Sequence, residues 1–349
     1  METATATRSP VARGPVTASN RRRLLGLLAA LAALAVLVLV GIAVGSRDIP
    51  LTTVVDALLH DTGEGDAYVV WSLRVPRTAV LLAVGIALGV AGMLIQALTR
   101  NPLADPGILG VNAGAALFVA LGIAVFEVSS PGGYVWFAFL GAFLVTVVVY
   151  LIGSAGRAGI DPIQLTLAGV TLGAMLFAVV SALTLLNPRT FEQMRNWNAG
   201  SVVGRGWEVL LPVLPFLVVG VLLAVAVAGP LNAIALGDDL AKSLGAHIGR
   251  TRVVVVLAVT LLAGGATAVA GPIGFVGLMV PHVARWIVGP DQRWILGATL
   301  LLAPSLLLAA DIVGRTVIRP GELPVGIVMA FVGAPILILL VRRRKTSGL

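Results

Sequence analysis

The stretch LLGLLAALAALAVLVLVGIAV, residues 24–44, runs for 21 residues without a charge. It follows Arg21, Arg22 and Arg23. As a helix it is long enough to cross the hydrocarbon of a bilayer, which takes about 20 apolar residues. A cleavable signal peptide also has a basic head, but its apolar region is about 7–15 residues, so this run reads as a retained helix. The same pattern continues outward to Val341, with charges gathered in the gaps between apolar runs. Hydrophobic residues make up 58% of the chain and charged residues 11%, more oil than a water-soluble fold could bury. In lipid only helices or closed barrels satisfy the backbone, and these runs are continuous rather than alternating, which selects helices. The fold class expected is an all-α polytopic membrane protein of about ten transmembrane helices.

Those helices are expected near 24–45, 78–98, 107–126, 134–153, 163–186, 209–228, 253–270, 274–289, 295–313 and 324–341. Residues 1–20, rich in Thr, Ala, Ser and Pro, read as a disordered tail, and 21–345 as one transmembrane domain. With an even number of spans both termini share a side. Placing them in the cytoplasm puts 16 of the Lys and Arg residues inside and 8 outside, the sense of the positive-inside rule. The formal charge of +8 therefore sets orientation in an inner membrane and does not indicate nucleic acid, since the basic residues form no stripe with interleaved aromatics.

Composition and motifs also exclude chemistry. Without cysteine there is no disulfide, thiolate metal site or thiol nucleophile. The zinc-protease pattern HExxH is absent, Gly237-Asp238 lacks the earlier glycine of an intramembrane aspartyl protease, and Gly153-Ser154-Ala155-Gly156 has no evident His partner. A proton-coupled carrier would place carboxylates mid-helix, whereas the acids here lie at span ends or in loops, with Asp311 the nearest exception. No GxxxxGK(S/T) loop is present to cradle ATP phosphates, so energy has to come from another subunit. Gln96, Asn112, Gln164 and His282 are polar residues within spans, expected to face a cavity or a partner; His282, after Pro281, is expected to serve helix packing and not iron.

Four loops are too specific to be plain connectors: Arg74-Val75-Pro76-Arg77, the Pro- and Gly-punctuated segment from Asn101 to Gly110, the long inside segment 231–252, and Glu322 to Gly326. The run RVPRTAVLLAVGIALGVAGMLIQALTRNPLADPGILGVNAGAA (74–116) resembles permease subunits of ABC importers for ferric siderophores, heme and vitamin B12. So do GPIGFVGLMVPHVARW (271–286) and ADIVGRTVIRPGELPVGIVMAFVGAP (310–335). Leu185-Leu186-Asn187-Pro188, Trp197 to Ser201 and His282 to Trp286 are most similar to the ferric-enterobactin branch.

The resemblance implies a type II ABC importer permease of about ten helices. Such a subunit pairs with a second permease, here a homologous partner in preference to an identical copy, and the pore lies at their interface. Its other implied partners are two nucleotide-binding ATPase subunits, a substrate-binding protein and the cargo, a ferric siderophore. No cofactor is expected on this chain, and ATP and Mg are used by the partner ATPase. Arg74, Arg77, Arg315 and Arg319 match docking positions for acidic residues of the binding protein, a task suited to the bidentate guanidinium. Anchoring of helix ends at the headgroups is the other reading of these arginines. Asn101, Leu103 and Pro162 fall at the implied inner gate, where Asp161-Pro162-Ile163 departs from the small hydroxyl residues of the vitamin B12 type. Asp238, Asp239, Leu240, Ala241 and Gly245 fall in the implied ATPase-coupling loop.

Overall fold

A computed structural model describes residues 20–60, 62–154 and 162–344. The expected tail, Asn20 apart, lies outside the described residues, as does Asp161. In chain order the α-helices are α1 (Asn20–Ala43), α2 (Leu51–Leu59), α3 (Gly65–Tyr68), α4 (Val75–Thr99), α5 (Val111–Ala124), α6 (Pro131–Ser154) and α7 (Pro162–Leu186). They continue as α8 (Pro188–Asn198), α9 (Trp207–Ala235), α10 (Asp238–Ser243), α11 (Ile248–Ala270), α12 (Val276–Val288), α13 (Gln292–Val317) and α14 (Val325–Arg344). A π-helical segment, Val69–Arg74, leads into α4, and a 3-10 turn, Pro106–Leu109, precedes α5.

Every expected span coincides with one of these helices. Among the described residues seven apolar helices are long enough to cross a bilayer, and three are shorter: Val111–Ala124, Val276–Val288 and Val325–Leu339. Two of the short ones have visible causes. Before α5, Asp105 caps the 3-10 turn by accepting from the Gly107 N–H, and Gly110 turns the chain at φ 74°. Ahead of α12 the chain passes Gly271 at φ 73° and Phe275 at φ 69° before it can wind again. The expected loop 231–252 is built from the end of α9, all of α10 and the start of α11. Between the spans the chain also forms α2, α3 and α8, which are too short or too polar to read as spans.

Burial grades the helices. About 78% of the apolar window is buried in each of α4 and α11, but only 11% in α1 and α7. The core therefore gathers on α4, which packs against α13, α11, α12 and α9. Small residues permit that closeness where lipid supplies no hydrophobic drive between helices. A methyl group on Gly92 would overlap the Gly277 carbonyl of α12, and one on Gly85 would lie 2.6 Å from the Pro304 Cα of α13.

Contacts define two polar ends. One joins the end of α1, the start of α4, the end of α13 and the segment before α14; the other joins the end of α4, the end of α9, α10 and the start of α11.

Candidate functional site

At the first end, the C-terminus of α1 leaves carbonyls without helical partners, as every helix end does. Arg74 fills that need, donating to the carbonyls of Ile42 at 2.9 Å, Ala43 at 2.6 Å and Arg47 at 2.7 Å. Arg315, 2% exposed, donates to Gly41 and Val44 at 3.0 Å each. Two guanidinium groups thus cap one helix, in the sense its dipole favours.

The same arginines belong to an ion-pair cluster. Arg77 donates through Nε and Nη2 to Asp311 Oδ1 at 3.2 and 2.7 Å, and through Nη1 to Glu322 Oε2 at 2.7 Å. Arg315 Nε lies 2.9 Å from the other Asp311 oxygen. Asp311, the one carboxylate that could have suggested proton coupling, is clamped between Arg77 and Arg315. Glu322, in the loop before α14, feels burial that alone would raise its pKa, but the Arg77 hydrogen bond and charge hold it below the ordinary glutamate value.

Above this cluster opens a cup of about 620 Å³. Five arginines line it, Arg47, Arg74, Arg77, Arg205 and Arg315, against two carboxylates, Glu208 and Glu322. The structure therefore brings Arg74, Arg77 and Arg315 together on one concave, cationic surface. Arg319 stands apart from the lining and pairs with the exposed Asp48 at 2.6 Å. Arg47 pairs with Asp66 at 3.0 Å.

At the opposite end, Arg100 closes α4 in the left-handed region, at φ 51°. Its Nε donates to the Ile234 carbonyl at 3.0 Å and its Nη2 to Asp238, whose second oxygen takes Arg252 Nη2 at 2.9 Å. Asp238 is the nail that fixes the start of α10 to α4 and α11. Gly245, at φ 80°, ends α10 in a Schellman pattern, with Gly245 N–H to Lys242 O and Ala246 N–H to Ala241 O, each at 2.9 Å. Ala241 faces inward with no exposure, whereas Leu240 and Leu244 are 57% and 66% exposed. The implied coupling residues thus divide into an anchor (Asp238, Ala241, Gly245) and a free face (Asp239, Leu240).

On the same end, Asn101 Oδ1 accepts from the Leu103 N–H at 3.0 Å and the Asn101 carbonyl from the Ala104 N–H at 3.0 Å, a self-contained turn. The chain then reaches the 3-10 turn, which packs on α7, the helix that Pro162 begins.

Within the bundle, Gln96 donates to the carbonyls of Gly277 at 3.0 Å and Leu278 at 3.1 Å and accepts from Arg285. The first of these would ordinarily bind the N–H four residues on, but that residue is Pro281, which has none. Gln96 supplies the missing donor. Asn112 accepts from Thr267 at 2.9 Å, and His282 sits edge-on to Trp286. These polar groups serve packing.

Comparison with known proteins decides the family. The model described as the FecCD transport family matches residues 33–343. The chain belongs to the FecCD transport family. Among FecCD relatives, it is 47% identical over 306 residues to the ferric enterobactin transport system permease protein of Escherichia coli (strain K12), covering 87% of this chain and 91% of that one. It is 34% identical over 317 residues to the hemin transport system permease protein of Yersinia pestis, covering 88% and 94%. An inward-facing structure of a metal-chelate type ABC transporter superposes with a TM-score of 0.80 at 26% identity, over 92% of this chain and 99% of that one. A FecCD chain of this kind is a multi-pass transport permease.

Sequence reading of this FecCD chain missed three members of the first polar end: Asp311 and Glu322 as arginine partners, and Arg205 as part of the cup. Arg77 and Asp311 are 234 positions apart, and no local pattern links them. For Arg205 the one signal was its place between Gly204 and Gly206, in the loop between α8 and α9.

Proposed function

We propose that this chain is half of the membrane conduit of an ABC importer that carries a ferric siderophore, of the catecholate, enterobactin-like class, into the cytoplasm. The observation that carries the reading is the 47% identity to a ferric enterobactin permease across nearly the whole of both chains. The two polar ends suit the division of labour. The cationic cup, outside, takes acidic side chains of a substrate-binding protein, with Arg74, Arg77 and Arg315 in its lining and Arg319 a further docking residue apart from it. The exposed face of α10, inside, seats in one of two nucleotide-binding ATPase subunits, which hydrolyse ATP with Mg. Both termini lie in the cytoplasm, in keeping with the distribution of basic residues.

A second permease subunit completes the pore, and a homologous partner fits better than an identical copy. The need for a second subunit of either kind is supported by α7, which exposes Met175, Phe177, Leu185 and Leu186 at 67–83% and has little buried surface of its own. In this arrangement Asn101, Leu103 and Pro162 stand at the inner gate, beside the turn that packs on α7. The conduit holds no metal of its own, because iron travels inside the chelate.

The same role for heme or vitamin B12 is the competing cargo assignment, and likeness to a hemin permease supports it. Uptake of labelled ferric catecholate, ferric hydroxamate, heme and cobalamin by a strain lacking this chain, with and without its return, separates these cargoes. Restoration confined to the catecholate is the expected result. Restoration of heme or cobalamin uptake instead would reject it.

A further inference from the structure

Beside α10 the surface carries a second concavity, which neither the ion pairs nor the helix caps described above occupy. It is a groove of about 580 Å³ between α9 and α11, closed at one end by the turn through Gly245 that stops α10. On α9 it is lined by Leu223, Val227 and Pro230; on the α11 side it is lined by Arg250, Val254 and the N-cap residue His247. Steps of three and four residues put each set on one face of its helix.

The two halves of the groove differ. The deep half is apolar: from Ala233, also in the lining, α9 runs about 15 Å to Leu223, half the thickness of the hydrocarbon. The mouth is cationic, with Arg250 and His247 beside it, and no carboxylate lines the groove. Arg250 is exposed and has no acceptor among the described residues, whereas Arg252, two positions on, is spent on Asp238. In the same first turn of α11 the N–H groups of Gly249 and Arg250 take no backbone carbonyl among the described residues. An occupant of such a groove has to be oily at hydrocarbon depth and anionic at the surface. A water-soluble subunit docked on α10 does not reach Leu223, and a small anion leaves the apolar half unfilled. A phospholipid meets both conditions.

We propose that this groove is a binding site for an anionic phospholipid of the leaflet on the α10 side, with its phosphate on Arg250 and one acyl chain laid between α9 and α11. Guanidinium–phosphate hydrogen bonds are charge-assisted and often bidentate, and basic pockets between membrane helices favour anionic headgroups. The seated lipid rests against the turn at Gly245 and braces the end of α10. Such a site serves the chain whatever cargo the conduit carries.

The test titrates the full chain, purified in detergent, with phosphatidylglycerol and separately with phosphatidylcholine, and follows bound lipid by native mass spectrometry. Wild type is expected to bind phosphatidylglycerol about fivefold tighter, the factor that one basic side chain at a membrane surface contributes. Arg250→Ala is expected to erase that preference while leaving phosphatidylcholine unchanged, and Arg250→Lys to keep most of it. Ala226→Phe, at an exposed position of the lining, is expected to weaken both lipids by filling the space for the chain. Both positions are exposed, so the variants should match wild type in size exclusion. Glycerol phosphate, the headgroup without its chains, is expected not to displace the lipid. Equal binding of the two lipids by wild type, an undiminished preference in Arg250→Ala, or unchanged binding of both lipids by Ala226→Phe overturns the inference. Displacement by glycerol phosphate also overturns it, because the site would then be one for a small soluble anion. None of these results bears on the importer reading, which cargo uptake tests.

Discussion

Asp311 is 1% exposed and is held between Arg77 and Arg315, so its carboxylate is the keystone of the arginine-rich end. Removing one member of a buried ionic cluster leaves charge without compensation, at a cost of about 3–5 kcal/mol. Asp311→Ala is therefore expected to lower the midpoint of thermal unfolding in detergent sharply, and pairing it with Arg77→Met should recover part of the loss. An unchanged midpoint in the single variant would show that the cluster is not structural. Charge reversal at Arg74 or Arg77 is expected to damage the fold as well as docking, because these side chains cap α1 and hold Asp311. Glu322 gives the cluster a pH dependence. Its pKa is depressed in the folded protein, so its contribution is present above the ordinary glutamate value near 4.3 and is lost as pH falls through the lower folded value. Unfolding midpoints followed below about pH 4 should fall in wild type, and Glu322→Gln should flatten that fall.

At the scale of the element, α10 is the part whose form points to a mechanical task. It is six residues long, nailed at its start by Asp238 and stopped at its end by Gly245 in the left-handed region. Proline cannot adopt φ near +80°, so Gly245→Pro breaks the Schellman end without touching the bundle core. The expected outcome is a folded permease whose partner ATPase hydrolyses ATP without cargo uptake. Normal uptake by that variant would remove α10 from the coupling path. On α4, Gly92→Val drives a branched side chain into the backbone of α12, and the expected result is loss of folded protein from membranes, measured by size exclusion after extraction. The sequence was most informative about elements such as α4 and α11, because lipid demands about 20 apolar residues and the chain supplies them. It was least informative about α2, α3 and α8, which are short and lie between the spans. Around Pro230 the reading ended a helix that in fact continues to Ala235. The candidate site divides in the same way: Arg74, Arg77 and Asp238 stood out in local motifs, whereas Asp311, Glu322 and Arg205 acquired meaning only when distant segments met.

Across the whole molecule, the charge clusters lie at the two ends, and within the apolar helices between them Gln96 and Asn112 are bonded by neighbouring helices. That distribution describes a conduit on which other proteins act from each side. Transport by proteoliposomes holding this permease, its partner permease and the ATPase subunits tests the account most directly. Radio-iron catecholate should accumulate only when ATP is supplied on the α10 side and loaded binding protein on the cup side. Accumulation without the ATPase, or with binding protein acting from the α10 side, would contradict the account.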